Sequence, residues 1–246
     1  MSLRVKAGCV GACISLFAAS ATSHAQAQAH ARSEPQAQTQ APPHPVWKDG
    51  FTGRLEALAL LENLNADLLS HDSATLTLDR WCAAHGLASG AQVVAERVRG
   101  QDKPADAEVR KLLSVKADEP IRYRRVKLAC GGHVLSEADN WYVPARLTPQ
   151  MNQALDGSDI AFGRAVQALR FQRHTLSAEL LWRPLPDGWE TGAAIPPAAG
   201  ALEIPTHVLQ HRAVLTLPDG TPFSTVVESY TAEVLAFAQP SPRREP

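Results

Sequence analysis

Two kinds of side chain in this sequence have the type and spacing to act together on a small organic acid. In FSTVVESYTAEVLAF, residues 223–237, Val226, Glu228, Tyr230, Ala232 and Val234 share one face at a period of two. Val227, Ser229, Thr231, Glu233 and Leu235 form the other, more polar face. Glu228 is therefore predicted to point inward. Burying an unpaired carboxylate costs several kcal/mol, so such a group either pairs with a cation or takes up a proton. The first outcome is a structural ion pair with an arginine, and the second is a general acid with a raised pKa. The segment RYRRVKLAC, residues 122–130, repeats the pattern with cations. Arg122 and Arg124 alternate with Val126, Leu128 and Cys130, whereas Tyr123, Arg125 and Lys127 form the opposite face. An inward arginine matches a carboxylate through its bidentate fork. That carboxylate belongs either to Glu228 or to a ligand.

These residues need a sheet to hold them. Arg122–Cys130 and the run that follows Gly131-Gly132 read as a β-hairpin. Upstream, residues 53–70 carry Leu55, Leu58, Leu61, Leu64 and Leu68 at helical spacing. A second helix runs through Leu76, Leu78, Trp81 and Cys82 to Gly86. AQVVAERV fits a strand and PADAEVRKLL a short helix. After the hairpin come two short helices, TPQMNQAL and AFGRAVQAL, then strands in HTLSAELLWRPL, PTHVLQHRAVLTL and the segment ending at Phe237. Helices first, then antiparallel strands, is an α+β pattern rather than alternating βαβ. No G-x-G-x-x-G or Walker-type loop is present, which argues against a nucleotide site. No CxxC, HExxH or His/Cys cluster supports a metal centre, and no metal or cofactor is expected.

The chain has 246 residues, 45% hydrophobic and 20% charged, with a formal net charge of −1. That balance argues against non-specific nucleic-acid binding, which depends on a basic surface. Residues 1–25 read as an export signal: Arg4 and Lys6, an apolar core too short to span a bilayer, and Ser-His-Ala before Gln26. The mature chain is thus expected in the periplasm or secreted, without stable membrane insertion. Residues 26–46, rich in Gln, Ala and Pro, read as a flexible linker and 239–246 as a flexible tail, leaving one domain over 47–238. Signal removal leaves Cys82 and Cys130, either bonded to each other or buried as free thiols.

Taken in order, DSATLT, RRVKLAC, YVPARL, AFGRAV and DGTPFSTVVE resemble the chorismate lyase family over about residues 55–235. The family shares its fold with effector-binding domains of some bacterial transcription regulators. The resemblance implies a six-stranded antiparallel sheet with helices packed on it and helical flaps over an enclosed pocket. It implies elimination of pyruvate from chorismate to give 4-hydroxybenzoate, with no cofactor. The family's carboxylate-binding arginine falls on Arg124 by the R-x-V-x-L pattern, or on Arg125 by counting back from Cys130. Its active-site glutamate falls on Glu228, and its flap amides fall on Leu76 and Phe162. One departure is Asp139-Asn140, which stands where the family has Gly-Arg. A carboxylate replacing a cation there weakens binding of a dianion unless Asp139 faces outward. Export is a second departure, because chorismate is made in the cytoplasm. The expected protein is an exported, monomeric chorismate lyase-like enzyme. The alternative is a non-catalytic binding module for another small aromatic or carboxylic acid on the same fold.

Overall fold

The structure is a computed structural model that describes residues 45–90 and 92–239. The expected signal, the linker before residue 45 and the tail beyond Gln239 lie outside the described residues. The elements are α1 (Phe51–Ser70), α2 (Ala74–Ala84), β1 (Val94–Arg97), α3 (Ala107–Leu112), β2 (Arg122–Cys130) and β3 (His133–Tyr142). They continue with α4 (Pro149–Gly157), α5 (Phe162–Ala165), β4 (Gln172–Leu180), β5 (His207–Thr216) and β6 (Pro222–Thr231).

Six antiparallel strands form one sheet in the order β1-β2-β3-β6-β5-β4. With its packed helices this is the α+β architecture expected from the sequence. The β2–β3 turn depends on Gly131, whose φ of +59° is costly for any residue with a Cβ. A Cβ there would also lie 2.7 Å from that of Ala88.

Helices α1 and α2 bury their apolar stripes against the sheet. On α1 the stripe is Gly53, Ala57, Leu61, Leu64 and Leu68, so Leu55 and Leu58 of the expected set lie at its half-buried margin. Each fully buried leucine contributes about 1.5–3 kcal/mol. Ser73 caps α2 by accepting from the Leu76 amide, and Thr148 caps α4 by accepting from Met151. A second apolar cluster gathers Leu147, Met151, Leu155, Phe162, Val166, Phe171 and Phe223 beneath α4 and α5. A third joins α3 to Trp141 and Val143.

Cys82 of α2 is bonded to Cys130 at the end of β2, which answers the question left open by spacing. The last strand is shorter than expected. It stops at Thr231, whose hydroxyl accepts from the Glu233 amide and opens a 3₁₀ turn over Ala232–Leu235. The indoles of Trp81 and Trp47 donate to the carbonyls of Val234 and Leu235, so tertiary contacts hold that turn against its β propensity. Gln239, expected to begin the flexible tail, is tied in place through Glu56 and the Lys48 amide.

Candidate functional site

Between the core under α1 and α2 and the cluster under α4 and α5 lies a cavity of about 40 Å³. Its floor is the sheet: Arg124, Val126 and Leu128 of β2, Ala138 and Asn140 of β3, and Val226 and Glu228 of β6. Leu215 of β5, Arg173 of β4 and Phe171 complete that side. The lid is the start of α2 (Ser73, Ala74, Thr75) and the start of α5 (Phe162, Gly163). The two lid segments touch. A Cβ on Gly163 would lie 2.7 Å from Ser73 Oγ, and Arg164 of α5 pairs with Asp79 of α2 at 2.9 Å. Swinging Ser73 aside to admit a larger residue would release its cap on the Leu76 amide.

Period-two alternation carries Arg124 to the floor with Val126 and Leu128, and there it is buried, 3% exposed. Nη2 donates to the Ile160 carbonyl at 2.9 Å, while Nε and Nη1 are buried without a hydrogen-bond partner. Burial pushes its pKa down to about 10, and repulsion from Arg97 adds to the effect. Among the described residues, no carboxylate forms a salt bridge with Arg124. Asn140 sits directly across from Arg124 on β3 and accepts from Ser224 Oγ at 3.0 Å.

Arg125 is corrected away from the cavity. One residue along the strand, it faces the other side of the sheet, where it pairs with Asp139 at 2.9 Å and Glu137 at 3.4 Å. Asp139 faces the same side and also accepts from Tyr123 Oη at 2.7 Å and Lys103 Nζ at 3.1 Å. Burial opposes ionisation of Asp139, but these donors more than offset it and hold its pKa below the usual carboxylate range. The Asp-Asn step therefore places an amide, and no carboxylate, beside Arg124.

Glu228 points inward as its strand parity requires. Its partner is neither hairpin arginine: Arg173 Nη2 meets Glu228 Oε2 at 2.6 Å, reaching across β5 with both side chains almost fully buried. Sequence reading missed Arg173 because it began this strand at His174, whereas β4 begins at Gln172. Burial alone would lower the Arg173 pKa, but the adjacent Glu228 more than compensates and raises it. Tyr230 Oη donates to the same Glu228 oxygen at 3.3 Å. The phenol stays protonated, because burial first, and the Glu228 charge second, raise its pKa well above 10.0.

His211, also missed, lies opposite Glu228 in the β5–β6 register. Its Nε2 is 2.9 Å from Asn65 Oδ1, which assigns the ring proton to Nε2 and leaves Nδ1 buried without a partner. Burial, with Arg173 adding to it and Glu228 opposing, brings the ring's pKa down to about 4.

The two expected flap positions lie differently in the structure. Phe162 lines the cavity. Leu76 does not: its amide is taken by the Ser73 cap, and the preceding residues Ser73–Thr75 form the wall. Among the described residues, no group of three or more His, Cys, Asp or Glu is placed to hold a metal ion, and no helix is long and apolar enough to cross a membrane.

No family model matches the sequence. A search of curated proteins finds Uncharacterized protein y4mC of Sinorhizobium fredii (strain NBRC 101917 / NGR234), 59% identical over 196 residues, spanning 79% of this chain and 83% of y4mC. The chain belongs to the y4mC family. Among solved structures, it is similar to the effector domain of PhnF from Mycobacterium smegmatis, at 15% identity and a TM-score of 0.41 over 66% of this chain and 90% of that one. It is also similar to the effector binding domain of the Bacillus subtilis trehalose repressor TreR, at 13% identity and a TM-score of 0.35 over 62% and 99% of the chains. A third likeness is to the possible transcriptional regulator YydK of Bacillus subtilis subsp. subtilis str. 168, at 16% identity and a TM-score of 0.35. That match covers 61% of each chain, less than two thirds of YydK.

Proposed function

We propose that this member of the y4mC family binds a small carboxylic acid, with the carboxylate held by Arg124, and that it works outside the cytoplasm. The observation that carries the reading is the buried Arg124 guanidinium, which has two N–H-bearing nitrogens unpartnered and no salt-bridged carboxylate among the described residues. A buried charge without a counter-ion costs several kcal/mol, and a guanidinium fork accepts a carboxylate bidentately. An anion entering the cavity relieves that cost where a neutral ligand does not. The surrounding Val126, Leu128, Phe162, Phe171, Leu215 and Val226 suit an apolar body attached to the acid. Typical ligand pockets measure about 300–1,000 Å³, so an aromatic acid requires the α2 and α5 flaps to part. Export is supported by the N-terminal charge and hydropathy pattern and by the Cys82–Cys130 bond, which suits an oxidising compartment.

Titrating purified residues 26–246 with benzoate and 4-hydroxybenzoate, followed by protein NMR, tests the site. Saturable shifts around Arg124 that vanish in Arg124→Gln are expected. Equal binding by that variant would remove Arg124 from the reading.

Chorismate lyase activity is a second reading, favoured by one observation: Arg124 and Glu228, the pair required by the family resemblance, line the same cavity. The outward position of Asp139 also removes the carboxylate that counted against a dianionic substrate. Incubation with chorismate should then release pyruvate and 4-hydroxybenzoate above the spontaneous rate, and Glu228→Gln should slow that release. No excess product at any pH from mildly acid to mildly alkaline would eliminate this reading and leave the binding one standing.

A further inference from the structure

We propose that the cavity selects monoanionic over dianionic carboxylic acids, with Glu228 as the group that rejects a second carboxylate. This rests on Arg124 as the anion anchor, and it stands against the lyase reading, whose substrate carries two carboxylates.

The buried charges of the cavity are two guanidiniums and one carboxylate. Arg173 is matched by Glu228 at 2.6 Å, and Tyr230 donates to the same oxygen, Oε2. Among the described residues, Arg124 is the one of these three that lacks a salt-bridged partner. One ligand carboxylate on Arg124 therefore brings the buried set to neutrality, and a second leaves it one negative charge in excess. That second carboxylate would also face acidic groups. Glu228 lines the cavity, and Asp72 lines its exposed side, where Oδ1 accepts from the Arg173 amide at 2.8 Å. Asn140, directly across from Arg124, brings a neutral amide and no further cation. In a water-poor site, like charges a few ångströms apart repel far more strongly than in bulk water. Among the described residues, Glu228 Oε1 takes no hydrogen bond from the protein, so it is free to accept from a ligand hydroxyl or amine. The ligand class is thus a monocarboxylic acid whose remaining polar group, where it has one, donates rather than carries negative charge.

Matched acids test this on the purified protein: butyrate against succinate, and 4-methylbenzoate against terephthalate. Each pair exchanges a methyl for a carboxylate. The diacid is expected to bind at least about ten-fold more weakly than its partner. In Glu228→Gln, Arg173 loses its counter-ion and becomes a second cation, so the preference should move at least about ten-fold toward the diacid. In the double variant Glu228→Gln/Arg173→Gln that gain should disappear. Removing both members of a buried pair is better tolerated than removing one, so the double variant guards against simple misfolding. If Glu228→Gln does not fold, the wild-type pairs decide alone. A diacid that binds the wild type as tightly as its monoacid overturns the selectivity and leaves the Arg124 site intact. An unmoved preference in folded Glu228→Gln also overturns it. If no acid binds at all, the Arg124 reading fails, and the selectivity fails with it.

Discussion

Replacing Arg124 with methionine should stabilise the fold while abolishing its binding of acids. The guanidinium is almost completely buried, and its pKa falls from the usual arginine range to about 10, chiefly through desolvation. At about 1.4 kcal/mol per pH unit, keeping that charge inside the folded protein costs about 3 kcal/mol. Methionine has a similar reach, no charge and enough flexibility to fill the space. The variant gives up the Nη2 bond to the Ile160 carbonyl, worth about 1 kcal/mol. The balance is a gain of about 2 kcal/mol, or roughly 4–8 °C in Tm for a domain of this size. Urea and thermal unfolding with the disulfide intact measure it, and NMR titration with benzoate measures the loss of binding. A lower Tm for Arg124→Met would refute the reasoning, because it would mean that the guanidinium is already compensated without a ligand.

Other consequences follow from the same geometry. The His211 ring has its pKa depressed to about 4 from 6.5, so between those values the unfolded chain binds a proton that the folded one refuses. Stability should fall as pH drops through that window, by up to about 3 kcal/mol in all. His211→Gln should flatten the slope of urea-derived stability against pH, and an unchanged slope would exclude this ring as its source. Arg125→Gln should leave acid binding unchanged and cost under about 1 kcal/mol, since its ion pairs lie on the opposite, partly exposed face. A large loss of binding there would contradict the β2 register. Replacing both Cys82 and Cys130 with alanine opens a loop of 48 residues and should cost about 4 kcal/mol by loop-closure entropy. A cost near zero in chemical denaturation would show that the reduced chain retains the constraint.

How far the site was legible depended on the range of the contacts involved. Period-two alternation is local, so Glu228 and Arg124 could be assigned inward from their neighbours alone. The same alternation separates Arg124 from Arg125, yet counting back from Cys130 pointed to the wrong one. Alternation with Val126 and Leu128 gives the right one: Arg124 is buried, and Arg125 pairs with Asp139 on the opposite face. Leu76 was expected to offer a flap amide, and a cap formed by a side chain three residues earlier holds that amide. The last strand was read too far because β propensity carries no knowledge of two tryptophans waiting to bind the carbonyls of a turn.

By itself the sequence determined the α+β class, the hairpin and the inward direction of two charged residues. Those features follow from side-chain period and backbone preference within a few residues. Tertiary structure alone decided the charge balance of the cavity. Insertion of β6 between β3 and β5 brings Glu228 within reach of Arg173, 55 positions away, while Arg124 keeps its two unpartnered nitrogens. Which buried charges compensate one another depends on distances across a folded sheet and on the water excluded between them, and neither is encoded in the spacing of the residues along the chain.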